Sequence, residues 1–250
     1  YDTSPGTLAR WLPMMNATEE PHLAGDPQRM ANVLQVRAAG GWRNLAAYRG
    51  VEATGWSWAA RFGDLDNDGD QDYFYSNVGP MELLQNQGDG TFREEAALRG
   101  VAYTAMGSTA GNMGIGVGDV NGDALFDLFV THLAHEQHTL WVQGPRGSFE
   151  DQTARFGLVN PVLRGTGFGT LLADLNLDGW PDLAHVNGTI RRGGAHDGPR
   201  LPGLATFWDP YAQRAQLFLN DRNGRFLDVS EGNPDFCGFA AVGRGLASAD

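Results

Sequence analysis

The sequence predicts an all-β fold of four-stranded blades, a β-propeller. Three observations point to it. An Asp-rich nonapeptide recurs at a period of 55 residues. Each period holds enough apolar, turn-bounded runs for four strands. Glycine makes up 35 of 250 residues, about twice the usual share of roughly 7%. Periods of about 40–50 residues with four strands each mark propeller blades. An open stack or sandwich of hairpins is the competing architecture.

Each element of the repeat follows in chain order. Five residues before each nonapeptide stands a small residue, Ala59, Gly114 or Gly169, and Gly245 holds the same place before Asp250. One residue before stand Gly63, Gly118, Ala173 and Ala249. Small side chains suit an innermost strand, where blades crowd around an axis. The nonapeptides occupy 64–72, 119–127 and 174–182. A second strand begins at Tyr73-Phe74-Tyr75, Leu128-Phe129-Val130 and Leu183-Ala184. A third reads Leu83-Leu84-Gln85-Asn86, Leu140-Trp141-Val142-Gln143 and Leu217-Phe218-Leu219-Asn220, each running into a Gly-containing turn. These are hairpin signals. A fourth strand begins Thr91-Phe92, Ser148-Phe149 and Arg225-Phe226. Phe92 and Phe149 precede Gly100 and Gly157 by eight residues, and Trp42 precedes Gly50 likewise, so a partial repeat is expected before the first nonapeptide.

Two regions result. Residues 1–40 form an N-terminal extension with a short helix, capped at Asp26-Pro27, carrying Met30, Val33 and Leu34, and ending at Gly40-Gly41. Residues 41–250 form the repeat region, about four blades. Asp250 is expected to open a further nonapeptide after an insertion of about 21 residues. The polypeptide is therefore expected to continue.

Composition narrows the function classes. The net charge of -12 disfavours a general nucleic-acid binder. All 18 basic residues are Arg, which excludes Schiff-base chemistry and a P-loop Lys, and points to a GC-rich, bacterial source. Cys237 is the single cysteine, so no internal disulfide or thiolate cluster forms. No run of about 18 apolar residues, as a membrane-crossing helix needs, is present.

The nonapeptides place oxygen ligands at positions one, three, five and nine. Carboxylates so close repel one another unless a cation lies between them. A hard cation such as calcium takes six to eight oxygens. Loop one offers Asp64, Asp66, Asp68 and Asp72, with the carbonyl of Asp70. Loop two offers Asp119, Asn121, Asp123 and Asp127, with the carbonyl of Leu125. Loop three offers Asp174, Asn176, Asp178 and Asp182, with the carbonyl of Trp180. Asp250 would begin a fourth set. About three calcium ions are thus expected, with loop one tightest because it has the most carboxylates. Gly69 and Gly179 supply the sharp turn at position six, where Ala124 departs from the pattern. Position twelve is Tyr75, Val130 or His185, never Glu, so these are not EF-hands. The competing reading is a metal-free Asx turn.

These motifs resemble the FG-GAP/VCBS repeats of integrin-α-type β-propellers. The Asp-Leu-Phe-Val strand and the Leu-Phe-Leu-Asn…Asn-Gly-Arg-Phe hairpin match as well, and residues 85–96 look most like the cartilage-acidic-protein (ASPIC/UnbV-type) subgroup. The resemblance covers about 41–250. It implies a calcium-stabilised propeller of about seven blades, exported, and used in adhesion or protein interaction.

Other features are weaker. His132, His135 and His138 form a His-x-x-His-x-x-His run whose spacing fits neither zinc-protease signature. The insertion between Asn187 and Gln216 holds Arg191, Arg192, His196, Arg200, Trp208 and Tyr211, suited to a protein interface or an anionic sugar. Asn77, His132 and Asn187 would point to the same face, opposite the Asp loops. Asn16 and Asn187 head glycosylation sequons. No catalytic elbow or paired Glu set stands out. The sequence therefore predicts a non-enzymatic, secreted, periplasmic or cell-surface interaction module. A carbohydrate-active propeller, lyase or lectin, is the second reading. A third is an accessory subunit docked through residues 1–40 by Trp11, Leu12 and Met14.

Overall fold

The structure, a computed structural model, describes residues 32–52, 54, 57–159, 164–190 and 198–249. The chain divides into two compact units, Tyr1–Gly55 and Trp56–Asp250.

In the first unit, β1 (Gln35–Ala38) pairs with β2 (Gly41–Asn44) around a tight turn. Gly40 and Gly41 have φ of 92° and 133°, a backbone that L side chains resist. The short helix expected to run to Gly40-Gly41 therefore does not include 35–38. The two-residue connection brings Val36 opposite Arg43 and Arg37 opposite Trp42, and cross-strand pairing replaces the helical ladder. The hairpin spans position 41, the expected boundary between extension and repeats. The rest of the expected helix, 26–31, lies outside the described residues. Past the hairpin, Gly50 has φ of 72°, matching Gly100 at 88° and Gly157 at 77° after the corresponding hairpins of the second unit. The partial repeat read from Trp42 and Gly50 thus has the local backbone of the full ones.

Among the described residues the second unit contains three antiparallel sheets built on four strands each, one per repeat, the first with a fifth strand. Sheet one is β3 (Ser57–Gly63), β4 (Asp72–Gly79), β5 (Glu82–Asn86) and β6 (Phe92–Glu94), with β7 (Ala110–Gly111) also pairing β4. Sheet two is β8 (Ile115–Gly118), β9 (Asp127–Val130), β10 (Thr139–Gln143) and β11 (Phe149–Asp151). Sheet three opens with β12 (Gly167–Ala173) and β13 (Asp182–Asn187). After β14 (Gln213–Arg214) in the insertion, it closes with β15 (Gln216–Asn220) and β16 (Phe226–Asp228). β14 pairs with β17 (Ala240–Ala241). The four strands of each repeat lie side by side in chain order, with β7 on β4 and the β14–β17 pair the exceptions.

The core explains why β9 and β10 read as unbroken apolar runs. Both strands are buried along their whole length. Side chains alternate between faces with a period of two. Leu128, Val130 and Trp141 meet Phe74, Leu83 and Leu65 of sheet one. Phe129, Leu140 and Val142 meet Leu172, Leu183 and Phe218 of sheet three. Sheet two is therefore covered on both faces. Each fully buried Leu or Phe contributes about 1.5–3 kcal/mol.

The small residue five positions before each loop lies where extended segments of successive repeats touch. A Cβ on Gly114 would lie 1.8 Å from the Phe168 carbonyl oxygen, and one on Gly169 would lie 2.3 Å from the Leu246 nitrogen. The Gly169 N–H donates to the Arg244 carbonyl at 3.2 Å. At Gly114 and Gly169 backbone packs on backbone, with no space for a methyl group.

Candidate metal centre

All three Asp loops share one backbone construction. The position-one carboxylate accepts from the N–H groups of positions five and six. Asp64 takes Asp68 and Gly69, both at 3.0 Å; Asp119 takes Asp123 at 3.1 Å and Ala124 at 2.8 Å; Asp174 takes Asp178 at 2.9 Å and Gly179 at 2.8 Å. The position-five carboxylate accepts from position seven, at 2.9 Å in each loop. Asx turns thus set the loop shape. Asp64 Oδ1 and Oδ2 each accept one such bond and keep a lone pair for a cation, whereas Asp119 Oδ1 already accepts from Asn121, Gly122 and Asp123.

The turn needs left-handed backbone twice per loop. Positions four and six have positive φ throughout: Asn67 and Gly69, Gly122 and Ala124, Leu177 and Gly179. Only position six is evident from the sequence. Ala124 sits at φ 66°, a conformation costing a non-glycine residue roughly 1–2 kcal/mol. Glycine's extra chain entropy offsets part of that. Ala124→Gly is therefore expected to stabilise the protein by about 1 kcal/mol, a rise of about 2–4 °C in Tm. Thermal melts of the two proteins check this; an unchanged or lower Tm contradicts it.

The ninth residue does something different from the first. Asp72, Asp127 and Asp182 are at most 1% exposed, and each spans two strands. One oxygen accepts from position two: Leu65 at 2.9 Å, Val120 at 2.8 Å and Leu175 at 3.1 Å. The other accepts at 2.9 Å from the last residue of the third strand, Asn86, Gln143 or Asn220. Burial raises the Asp72 carboxyl to about 6 and the Asp127 carboxyl to about 7, opposed by those N–H groups and reinforced by neighbouring Asp residues. Burial raises Asp182 as well. A cation among these carboxylates would favour the ionised form and reverse the shift.

Asn86, Gln143 and Asn220 were not recognised from sequence as functional positions. Two of them stitch repeats together. The Gln143 amide donates to the Leu65 carbonyl at 2.6 Å, and the Asn220 amide to the Val120 carbonyl at 2.9 Å. Each fixes position two of the preceding repeat's loop. The available signal was their shared amide type at one register.

Loop one has the geometry of an ion site. One oxygen each from Asp64, Asp66 and Asp72 lie within 4.8 Å of one another. Asp66 Oδ1 is buried and has no hydrogen-bond partner. A buried, unpartnered oxygen on a carboxylate that clusters with two others is a costly arrangement that a hard cation satisfies. The residues present therefore fit calcium. Among the described residues, the carboxylates of Asp119, Asp123 and Asp127, and of Asp174, Asp178 and Asp182, are not drawn together as closely. In both loops the position-three Asn donates to its own loop, Asn121 to Asp123 at 3.0 Å and Asn176 to Asp178 at 3.1 Å. Asp250 lies outside the described residues.

The stretch from loop one to the end of β9 is matched by a known family. That family is the FG-GAP-like repeat, which this stretch of the chain resembles. The match covers residues 64–130, from the first residue of loop one through loop two and its following strand. Human cartilage acidic protein 1 is 31% identical over 118 residues, covering 46% of this chain and 17% of that protein. The chain thus spans about a sixth of the length of that relative. The matched stretch ends where sheet two has placed both its loop and its most buried strand.

Other sequence-predicted residues are distributed differently. His132 and His138 are buried at 0% and 2%, whereas His135 is exposed. The run does not converge. His138 instead meets His185 of β13, ring centroids 5.3 Å apart, with His132 at 6.2 Å from His138. Phe129, Trp141 and Phe218 surround them. The His132 N–H donates to His138 Nδ1 at 3.0 Å, which leaves the His138 proton on Nε2. Burial lowers His132 to about 3 and His185 to about 4, and moves His138 well below its usual value. These are neutral core histidines.

Asn77, His132 and Asn187, expected to point at a functional face, are buried at 3%, 0% and 2%. Asn77 accepts from the Ser57 hydroxyl, and Asn187 donates to the Arg214 carbonyl. They hold strand ends. The insertion leaves β13 at the end opposite loop three. Arg191, Arg192 and His196 lie outside the described residues. Trp208 and Tyr211 pack with Phe207 in one aromatic cluster, centroids 5.0–6.3 Å apart. Arg200 is ion-paired with Asp209.

Proposed function

We propose that this chain is a segment of a calcium-stapled, integrin-type β-propeller that serves as a protein-interaction or adhesion module, or as a subunit of a surface assembly, outside the cytoplasm. The observation that carries the calcium reading is the orphaned Asp66 Oδ1, on a carboxylate clustered within 4.8 Å of ligand oxygens from Asp64 and Asp72. The propeller reading rests on three successive four-stranded sheets with glycine-mediated contacts between repeats. The adhesion reading comes from the FG-GAP-like repeat over 64–130. Extracytoplasmic placement rests on the resemblance and on calcium, which is abundant there. Among the described residues no helix is long and apolar enough to cross a membrane.

The lyase alternative needs a base beside an open cation. Its two candidates, His132 and His185, are both 0% exposed and so closed to a polysaccharide. This favours the non-enzymatic module.

Calcium titrated calorimetrically into chelator-treated protein, with parallel melts, tests the reading. Binding at about three sites, together with a large rise in Tm, is expected. No heat and no shift would overturn it and leave the loops as Asx turns.

A further inference from the structure

The three loops hold their third position differently. Asn121 and Asn176 each donate to a carboxylate of their own loop at 3.0 and 3.1 Å. The Asp66 side chain has no N–H to give and must be held from outside. Gln85 Nε2 and Arg99 Nη2 do this, and both converge on Asp66 Oδ2. The other oxygen, Oδ1, stays buried and unpartnered, on a carboxylate that clusters with those of Asp64 and Asp72.

Arg99 is itself fixed on every side. Its Nε donates to Glu95 at 2.9 Å, and its Nη1 to the Gly147 carbonyl at 3.2 Å. Its Nη2 also bonds Gln85 Oε1. A Cβ on Gly147 would lie 1.8 Å from Nη1, so that glycine makes room for the guanidinium. Glu95, 4% exposed, pairs with Arg99 and also with Arg93, so it offsets part of the guanidinium charge near the loop. Gly147 belongs to the turn between β10 and β11, so one side chain joins loop one, β5 and the next sheet.

We infer that Arg99 is a positioning residue for calcium at loop one, presenting Asp66 as a one-oxygen ligand and making that site's affinity depend on the contact between sheets one and two. The inference rests on the calcium reading of loop one. Groups that orient a metal ligand typically contribute 10–100-fold to metal affinity. Lys is no substitute, because a single ammonium cannot reach Asp66, Gln85, Glu95 and Gly147 together.

Calorimetric calcium titrations on the whole chain compare wild type, Arg99→Lys and the charge-balanced pair Arg99→Gln/Glu95→Gln. Asp64→Asn identifies the heat of site one, and sites two and three serve as internal controls. The expected result is a loss of about tenfold in affinity at site one alone, with the calcium-free Tm of the charge-balanced pair near wild type. Unchanged or tighter binding at site one in both variants, with wild type binding normally, overturns the Arg99 role and leaves the calcium reading standing. Wild type without calcium heat overturns both.

Discussion

Gly114→Ala is expected to destabilise the fold by about 3 kcal/mol or more, at the upper end of the range for overpacked interiors. The added methyl would lie 1.8 Å from the Phe168 oxygen, 2.7 Å from its carbonyl carbon and 3.1 Å from Thr131 Oγ1. Two of these atoms are backbone and cannot rotate away. The Thr131 hydroxyl is also committed, since it donates to the same Phe168 carbonyl at 2.9 Å. Relief requires the Gly114 segment to move off β12, which loosens the core between sheets two and three. Native stability of about 5–15 kcal/mol leaves little margin for that. Gly169→Ala should behave alike, its methyl falling 2.3 Å from the Leu246 nitrogen and 2.6 Å from the Gly245 carbonyl carbon. Gly245 occupies the same repeat position, but a methyl added there would meet no atom within 4 Å, and its φ is not positive. Gly245→Ala is thus the control, expected to change stability by less than about 0.5 kcal/mol. Urea unfolding of the three variants decides it. Equal stabilities for Gly114→Ala and Gly245→Ala would mean that small residues here are incidental.

The glycines at this position were legible in the sequence. The small residue five before each Asp loop repeats in register, and crowding of inner strands explains it without coordinates. The strands were readable for the same reason. Tyr73-Phe74-Tyr75 and Leu140-Trp141-Val142-Gln143 are apolar runs bounded by turns, and they fall within β4 and β10. What escaped depends on backbone groups or on distant parts of the chain. Position four is left-handed in every loop, yet its residues are Asn67, Gly122 and Leu177, which share no side-chain chemistry. Asn86, Gln143 and Asn220 act partly through main-chain N–H groups that any non-proline residue owns. The histidine run misled because spacing along a loop says little about direction. His135 turns outward, and its place beside His138 is taken by His185, which arrives from the next sheet. The helix read from Met30, Val33 and Leu34 was expected to run on to Gly40-Gly41, but the turn there brought a partner strand within reach of 35–38, and pairing decided the outcome.

The same histidines give the steepest expected response to pH. Folded, His132, His138 and His185 are held neutral by burial, with His132 at about 3 and His185 at about 4. Unfolded, each titrates near 6.5. Between about pH 6.5 and the folded values, the unfolded chain takes up protons that the folded chain refuses. Their contribution is therefore complete above about pH 6.5 and falls as the solution is acidified. Each such proton contributes a slope of about 1.4 kcal/mol per pH unit, so three give about 4. The raised carboxylates act oppositely. Asp72 at about 6 and Asp127 at about 7 bind protons in the folded state before the unfolded one does, which favours folding as pH falls from about 7 towards 4. A single histidine substitution separates the two effects. His185→Phe keeps an aromatic ring against Phe129 and Phe218 and removes one proton from the balance. Urea unfolding at about pH 4.5 to 6 should then show a slope shallower by about 1 kcal/mol per pH unit than wild type. The same slope in both proteins would mean that His185 titrates as freely when folded as when unfolded, and the neutral histidine core would be wrong.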